Sequence, residues 1–142
     1  MRYDPRLVQP MREELTRLGV EELMTPEDVD RALGQEEGSV LVVVNSVCGC
    51  AARNARPAVS IASGHDVLPD RMVTVFAGME VDATARARQY FTGYRPSSPS
   101  LALLRNGELV FILERHQIEG RSAEDVAADL TDAFDRWCGA VA

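Results

Sequence analysis

An uninterrupted apolar run, Val40-Leu41-Val42-Val43-Val44, constrains this chain more than any other feature, and a cysteine pair follows it closely. β-Branched residues favour extended strands, and a run without polar alternation is typical of a strand buried on both faces. A second such run spans Val73 to Ala77. Strands of this kind need helices on each side of the sheet, so the two runs predict a layered α/β fold.

Helix and strand patterns alternate along the rest of the chain. Predicted helices begin at Asp4-Pro5 (ending at Gly19), Thr25-Pro26 (ending at Gly34), Cys50 (ending at Ser63-Gly64), Asp82 (running to Phe91) and Ser122. Asn106-Gly107 predicts a hairpin between strands at Ser100–Leu104 and Glu108–Leu113. A right-handed crossover would make the first two strands parallel, which predicts a mixed sheet between helices. The length, 142 residues, suits a single domain over residues 1–142.

The helix after the cysteines has one predicted apolar face, formed by Ala51, Ala55, Ala58, Val59 and Ala62. The opposite face is predicted to hold Arg53, Arg56, Ser60 and Ser63. Pro57 lies inside the pattern and removes one backbone donor, so we expect it to kink the helix.

Composition excludes several functions. The net charge of −7, with no basic stretch, makes nucleic acid or an anionic membrane a poor partner. All 15 basic residues are Arg, so chemistry that needs a Lys amine is excluded. The sequence has no apolar run of the ~20 residues that a membrane helix needs, and no signal-peptide pattern. We therefore expect a soluble cytoplasmic protein, in which three cysteines indicate catalysis, redox sensing or metal binding.

The chemistry is predicted at Cys48-Gly49-Cys50, where the most hydrophobic strand gives way to a helix. The unpaired backbone donors and the dipole of a helix N-terminus favour a thiolate, the form that attacks disulfides, and lower a cysteine pKa. Cys50 is placed to attack a mixed disulfide formed on Cys48. A disulfide between Cys48 and Cys50 would close a small ring, which predicts strain and an oxidising reduction potential. Gly49 would supply the backbone freedom that this ring needs.

The chain resembles the bacilliredoxin family. The resemblance rests on Asn45–Ala52 with Ala55-Arg56-Pro57, on Ser97-Ser98-Pro99-Ser100, and on His116–Arg121. It implies a thioredoxin-like three-layer α/β/α fold with a central mixed sheet. It also implies thiol–disulfide exchange on proteins that carry a mixed disulfide with bacillithiol, a low-molecular-weight thiol, and disulfide isomerisation as a further activity.

The resemblance also implies roles for individual residues. Cys48 would be the attacking thiol and Cys50 the resolving one. Gly49, Ser98 and Pro99 would bind the substrate. A cis peptide bond at Ser98-Pro99 would place the Ser98 backbone near Cys48, where it could pair with a substrate chain, although most X-Pro bonds are trans. The chemistry requires no metal or organic cofactor.

Two alternatives remain open at the level of sequence. Cys-x-Cys thiolates also bind soft ions such as Cu(I) or Zn²⁺, although Cys138, His65 and His116 are distant in sequence and have no local ligand spacing. A redox sensor without turnover would use the same two thiols. We expect Cys138, beside the apolar stripe of the last helix, to be a small buried residue.

Overall fold

The structure is a computed structural model that describes residues 3–139. Within them the helices are α1 (Pro5–Thr16), α2 (Pro26–Leu33), α3 (Arg56–Ala62), α4 (Val81–Gln89), α5 (Arg115–Ile118) and α6 (Ala123–Trp137). The strands are β1 (Glu21–Glu22), β2 (Ser39–Asn45), β3 (Arg71–Phe76), β4 (Ser100–Arg105) and β5 (Glu108–Leu113). A π-helical turn, Ala51–Ala55, leads directly into α3.

The five strands form one mixed sheet in the order β1-β3-β2-β4-β5. The central strand β2 is buried at every position, as its apolar run predicts. It pairs in parallel with β3, where Val42 is level with Val73, and antiparallel with β4, where Val42 is level with Ala102. The predicted parallel crossover and the β4–β5 hairpin are both confirmed.

Helices cover both faces of the sheet and give the predicted three layers. Alternate side chains of β2 point to opposite faces, because the side-chain period of a strand is two. Leu41 and Val43 pack in a core that holds residues of α1, α3 and α6. Val42 and Val44 pack in a second core that holds residues of α2 and α4. No helix among residues 3–139 is long and apolar enough to cross a bilayer.

Most helix starts follow the predicted caps. The side chains of Asp4, Thr25 and Ser122 each accept a backbone N–H of the first turn of α1, α2 and α6. The prediction that Asp82 caps α4 is wrong, because the helix already includes Val81. Its N-cap residue is Glu80, whose carboxylate does not cap the helix; instead both of its oxygens accept hydrogen bonds from Arg12 at 2.8 Å.

The segment after the cysteines differs from the predicted regular helix. The Arg56 N–H donates to the Ala51 carbonyl, a π-type bond that widens the first turn. Pro57 falls in the first turn of α3, where a missing N–H is tolerated. The predicted kink at Pro57 stays a prediction. The placement of Arg56 on the polar face is also wrong, since the side chain is only 3% exposed. Arg53 is exposed, as predicted.

Candidate active site

The two cysteines lie at the end of β2, between its last residue and the π-helical turn. The Cys48 carbonyl accepts the N–H groups of Ala51 and Ala52 at 3.1 and 3.2 Å, which starts the helical segment. Both cysteines are free thiols, with their sulfur atoms 3.2 Å apart. Cys48 is partly buried and Cys50 is 7% exposed. The strand–helix junction therefore brings the predicted pair into contact.

Cys48 is surrounded by hydrogen-bond donors from its own segment. The Ser46 hydroxyl donates to Cys48 Sγ at 3.2 Å. Burial by itself would raise the pKa of Cys48, but hydrogen bonds from Ser46, Cys50 and the backbone N–H groups of Ala51 and Cys50 outweigh it. The pKa of Cys48 is therefore lowered, in the direction that the helix start predicts.

Cys50 has the opposite environment. Burial raises the pKa of its thiol, and the neighbouring Cys48 raises it further. Its single hydrogen has two acceptors, Cys48 Sγ at 3.2 Å and Glu119 Oε2 at 3.7 Å. Arg115 Nε donates to the same Glu119 oxygen at 2.9 Å, which holds the pKa of Glu119 below its ordinary value. Cys50 is thus kept as a thiol beside an ion pair.

Arg56 lies buried beneath the loop that holds Cys48. Its Nη1 donates to Asn45 Oδ1 at 2.9 Å and to the Ser46 carbonyl at 2.8 Å. Its Nε lies 3.1 Å from Glu14 Oε2 without an aligned hydrogen bond, so that contact is an ion pair through proximity. Since Ser46 in turn bonds Cys48, the guanidinium fixes the segment that positions Cys48 Sγ.

The Ser98–Pro99 peptide bond is cis, as the resemblance implies. Ser100 begins β4 and is level with Val44, so Ser98 and Pro99 lie at the end of the sheet where the cysteine loop begins. The Ser98 carbonyl accepts from Arg115 Nη1 at 3.4 Å. Arg115 thereby links the proline loop to Glu119 and, through it, to Cys50.

Gly49 leaves space for a guanidinium group. A Cβ at this position would lie 2.8 Å from Arg53 Nη2, closer than side chains approach one another. The Arg53 side chain therefore lies against the backbone between the two cysteines. Gly49 does not have a positive φ, so the structure gives close approach of a side chain as the reason for glycine, and the predicted backbone freedom is not used in this dithiol form.

Sequence reasoning missed three residues that shape the site: Ser46, Arg115 and Glu119. Ser46 carried a usable signal, because Ser side chains often bond groups two residues away. Arg115 and Glu119 belong to or border α5, a one-turn helix whose capping box uses Glu114 and Gln117. A helix of four residues shows no hydrophobic period, so nothing in the pattern placed these side chains beside Cys50.

A metal site would need further ligands. Among residues 3–139, no group of three or more His, Cys, Asp or Glu side chains is placed to hold a metal ion. Cys138 packs against the core that includes α6, as expected, but it is only partly buried. His65 bonds Asp135 at 2.8 Å.

Comparison with known proteins identifies the family. The sequence profile of the disulphide isomerase family matches residues 3–138. The chain is 55% identical to the bacilliredoxin of Salinibacter ruber, over 98% of this chain and 83% of that protein. It is 54% identical to the bacilliredoxin of Koribacter versatilis, over 99% of this chain and 97% of that one. The chain belongs to the bacilliredoxin family.

Solved structures show the fold of this bacilliredoxin family member. Thioredoxin of Malassezia sympodialis superposes with a TM-score of 0.56 at 16% identity, covering 83% of this chain and 90% of that one. Thioredoxin of Schistosoma mansoni gives 0.56 at 20% identity, covering 83% and 97%. The predicted thioredoxin-like fold is confirmed. Because the chain belongs to the bacilliredoxin family and has a thioredoxin-like fold, it is a thiol–disulfide oxidoreductase.

Proposed function

We propose that this bacilliredoxin-family protein removes bacillithiol from protein mixed disulfides, with Cys48 as the attacking thiol. The observation that supports this most is the pair of sulfurs 3.2 Å apart with opposite pKa shifts, lowered at Cys48 and raised at Cys50. A thiolate attacks disulfides, whereas a thiol does not. The pair therefore favours an ordered reaction in which Cys48 acts first.

In the first step, the Cys48 thiolate attacks the small-thiol sulfur of the mixed disulfide. A bond forms between Cys48 Sγ and that sulfur while the bond to the protein sulfur breaks. The protein sulfur leaves with the electron pair as a thiolate and takes a proton from water. The small thiol is then covalently held on Cys48, and the substrate protein is reduced.

In the second step, Cys50 attacks Cys48 Sγ after losing its proton. A Cys48–Cys50 disulfide forms, and the small thiol leaves as a thiolate that takes up a proton. Two further molecules of low-molecular-weight thiol reduce this disulfide and leave as their own disulfide. Alternatively, one free thiol attacks the small-thiol sulfur on Cys48 directly. The bond to Cys48 breaks, the two small thiols leave as their own disulfide, and the dithiol is restored.

The loop of Ser98 and cis-Pro99, together with Gly49, is proposed to bind the substrate main chain. These residues lie at the carboxyl end of β2, where the cysteine loop begins. Backbone groups at this position would form hydrogen bonds with the main chain of an extended substrate. Such bonds do not depend on side chains, so substrates of many sequences could bind. The proposed partners are therefore proteins that carry bacillithiol or another disulfide.

Disulfide isomerisation is a second candidate, favoured by the family whose profile matches. Cys48 would attack a protein disulfide, and the freed protein thiol would attack another disulfide of the same protein. The thiol released in that exchange then attacks the protein sulfur bonded to Cys48 and frees Cys48, whereas attack by Cys50 would release the protein reduced. The raised pKa of Cys50 slows its attack and lengthens the life of that intermediate.

The test uses wild-type protein and Cys50→Ser, each reacted with a model protein that carries a bacillithiol mixed disulfide, and with its glutathione equivalent. Mass spectrometry locates the small thiol. We expect faster transfer from bacillithiol and accumulation of the adduct on Cys48 in Cys50→Ser. Equal or absent transfer from both would contradict the bacillithiol proposal and turn attention to general exchange, sensing or a bound metal, which elemental analysis would reveal.

A further inference from the structure

A polar cleft of about 630 Å³ opens beside the dithiol. One wall comes from the cysteine segment and the other from α5 and the loop that follows it. The lining residues used below are Gly49, Cys50, Arg53, Arg115, Glu119 and Arg121. Its volume falls within the range of roughly 300–1,000 Å³ that small-molecule sites occupy.

The cleft concentrates positive charge in an acidic protein. The lining includes three arginines and one carboxylate, although the chain as a whole has a net charge of −7. Arg115 is paired with Glu119, and Arg121 with Asp129 at 2.7 Å. Arg53 has no hydrogen-bond acceptor or ion-pair partner anywhere in the described stretch 3–139. An exposed guanidinium without a partner is free to bind an anion from solution.

Arg53 is also held against the backbone of the residue that separates the two cysteines. Its Nη2 lies 2.8 Å from the point where a Gly49 side chain would begin, so the guanidinium lies against the backbone between the two cysteines. The planar fork of Arg matches a carboxylate through two parallel hydrogen bonds. A carboxylate bound there would lie beside whatever group is disulfide-bonded to Cys48.

We infer that this cleft binds a carboxylate of the low-molecular-weight thiol, with Arg53 as the main contact and Arg115 as a second positive charge. The inference rests on the proposed function and specifies its substrate: an anionic small thiol. The protein part of the mixed disulfide would lie on the other side, along Ser98 and Pro99. This arrangement directs Cys48 to the small-thiol sulfur and makes the protein sulfur the leaving group.

The test measures single-turnover transfer onto Cys48 from one carrier protein bearing three different small thiols. Glutathione supplies carboxylates, β-mercaptoethanol is neutral and cysteamine is cationic. The variants are Arg53→Gln and, as a matched control, Arg71→Gln. Arg71 begins β3 at the opposite end of the sheet, where its exposed ion pair with Glu21 contributes little.

We expect Arg53→Gln to slow transfer of glutathione about tenfold, the loss typical of one hydrogen bond to a charged group. Transfer of β-mercaptoethanol stays at the wild-type rate, and that of cysteamine rises. Wild-type transfer of glutathione falls with added salt, and Arg53→Gln shows a weaker salt dependence. Arg71→Gln behaves as wild type with all three thiols.

A second variant is expected to change the preference for glutathione over β-mercaptoethanol in the opposite direction. Glu119→Gln removes the one negative charge in the cleft lining and releases Arg115, so the ratio of glutathione to β-mercaptoethanol rates rises. Because Glu119 also contacts Cys50, the ratio is the measured quantity and not either rate alone.

The outcomes separate the two proposals. Unchanged or equally reduced rates for all three thiols in Arg53→Gln, with transfer onto Cys48 intact, would overturn the anionic cleft and leave the transfer reaction standing. Absence of transfer onto Cys48 in Cys50→Ser, where the adduct cannot be cleared by Cys50, for bacillithiol as well as these thiols, would overturn the proposed function and the cleft together.

Discussion

The two cysteines of the site lie 3.2 Å apart, yet they lie in different surroundings. Cys48 receives hydrogen bonds from Ser46 and from backbone groups of its own segment, and its pKa is lowered. Cys50 is buried beside the Arg115–Glu119 pair, and its pKa is raised. The contacts of Cys48 come from residues next to it in sequence, whereas those of Cys50 come from the region of α5. The fold therefore gives different pKa values to two thiols that the Cys-Gly-Cys motif does not distinguish.

This difference supports the order in which the two cysteines are proposed to act. The partly buried, more acidic Cys48 is suited to attack an incoming disulfide. The buried Cys50 remains protonated until a partner is bound to Cys48, and only then is its attack useful. A dithiol with two equally acidic cysteines would attack an incoming disulfide through either sulfur.

The largest expected effect comes from exchanging one cysteine at a time. Cys48→Ser should show no detectable transfer of a small thiol from a mixed-disulfide protein, because the attacking thiolate is gone. Cys50→Ser should complete the first step and accumulate the adduct on Cys48. Intact-mass spectrometry of the two variants measures this contrast. An adduct on Cys50 in Cys48→Ser, formed at the wild-type rate, would reverse the assignment.

The next effect compares two arginines that the sequence placed on the same helix face. Arg56→Met removes a buried guanidinium and leaves the Ser46 carbonyl without its donor, while Asn45 Oδ1 keeps only the bond from the Ser46 N–H. We expect a loss of about 3 kcal/mol in the free energy of unfolding, since buried groups lose their partner. Arg53→Met, on the exposed side, should change it by less than about 0.5 kcal/mol.

Urea unfolding of the two variants, followed by circular dichroism, checks the prediction. Because Arg56 also holds the segment that positions Cys48, Arg56→Met should slow transfer at a temperature where the variant is fully folded. Equal stabilities of the two variants would show that the buried contacts of Arg56 contribute nothing.

A smaller effect is expected at Ser46. Ser46→Ala removes the hydroxyl that donates to Cys48 Sγ, so the pKa of Cys48 rises. The thiolate fraction at neutral pH falls, and transfer slows by up to about tenfold. At alkaline pH, where Cys48 is fully ionised in both proteins, the rates converge. Ser60→Ala makes the same change on the exposed side of α3 and should leave the pH profile unaltered.

The smallest effect concerns pH and stability, for which the two cysteines have opposite signs. In Cys50→Ser, the remaining Cys48 has a lowered pKa, so its stabilisation is complete above the ordinary thiol pKa and is lost as pH falls through the folded pKa. In Cys48→Ser, the remaining Cys50 has a raised pKa, so its stabilisation is complete below the ordinary value and is lost as pH rises through the folded pKa.

Each contribution should stay below about 1 kcal/mol, because the causes that raise and lower the pKa of each thiol partly cancel. Chemical unfolding at several alkaline pH values measures the difference between the two variants. The chain has no Lys that would titrate at alkaline pH. Cys138 is present in both variants, so its contribution to the free energy of unfolding cancels in the comparison. Parallel pH curves would contradict the opposite shifts.

Sequence reasoning succeeded where the relevant interactions are local or periodic. The apolar run of β2 and the capping residues Asp4 and Thr25 each act over a few residues, and all were confirmed. The cis bond before Pro99 came from family resemblance, because X-Pro composition alone favours trans.

The errors arose where distant parts of the chain meet. Arg56 was assigned to the polar face because it is charged, but acceptors at the end of β2 and the Glu14 carboxylate on α1 give the guanidinium buried partners. Arg115 and Glu119 reach Cys50 across a sequence separation that no local pattern encodes.

The most direct test of the account is the pH at which each cysteine is alkylated. Reduced protein would be treated with limiting iodoacetamide between about pH 6 and 10, and peptide fragmentation would locate the label at Cys48 or Cys50. We predict that Cys48 is labelled first, at a pH below the ordinary thiol value, and that Cys50 reacts only at clearly higher pH. Labelling of Cys50 first, or of both cysteines with one pH dependence, would contradict the division of roles.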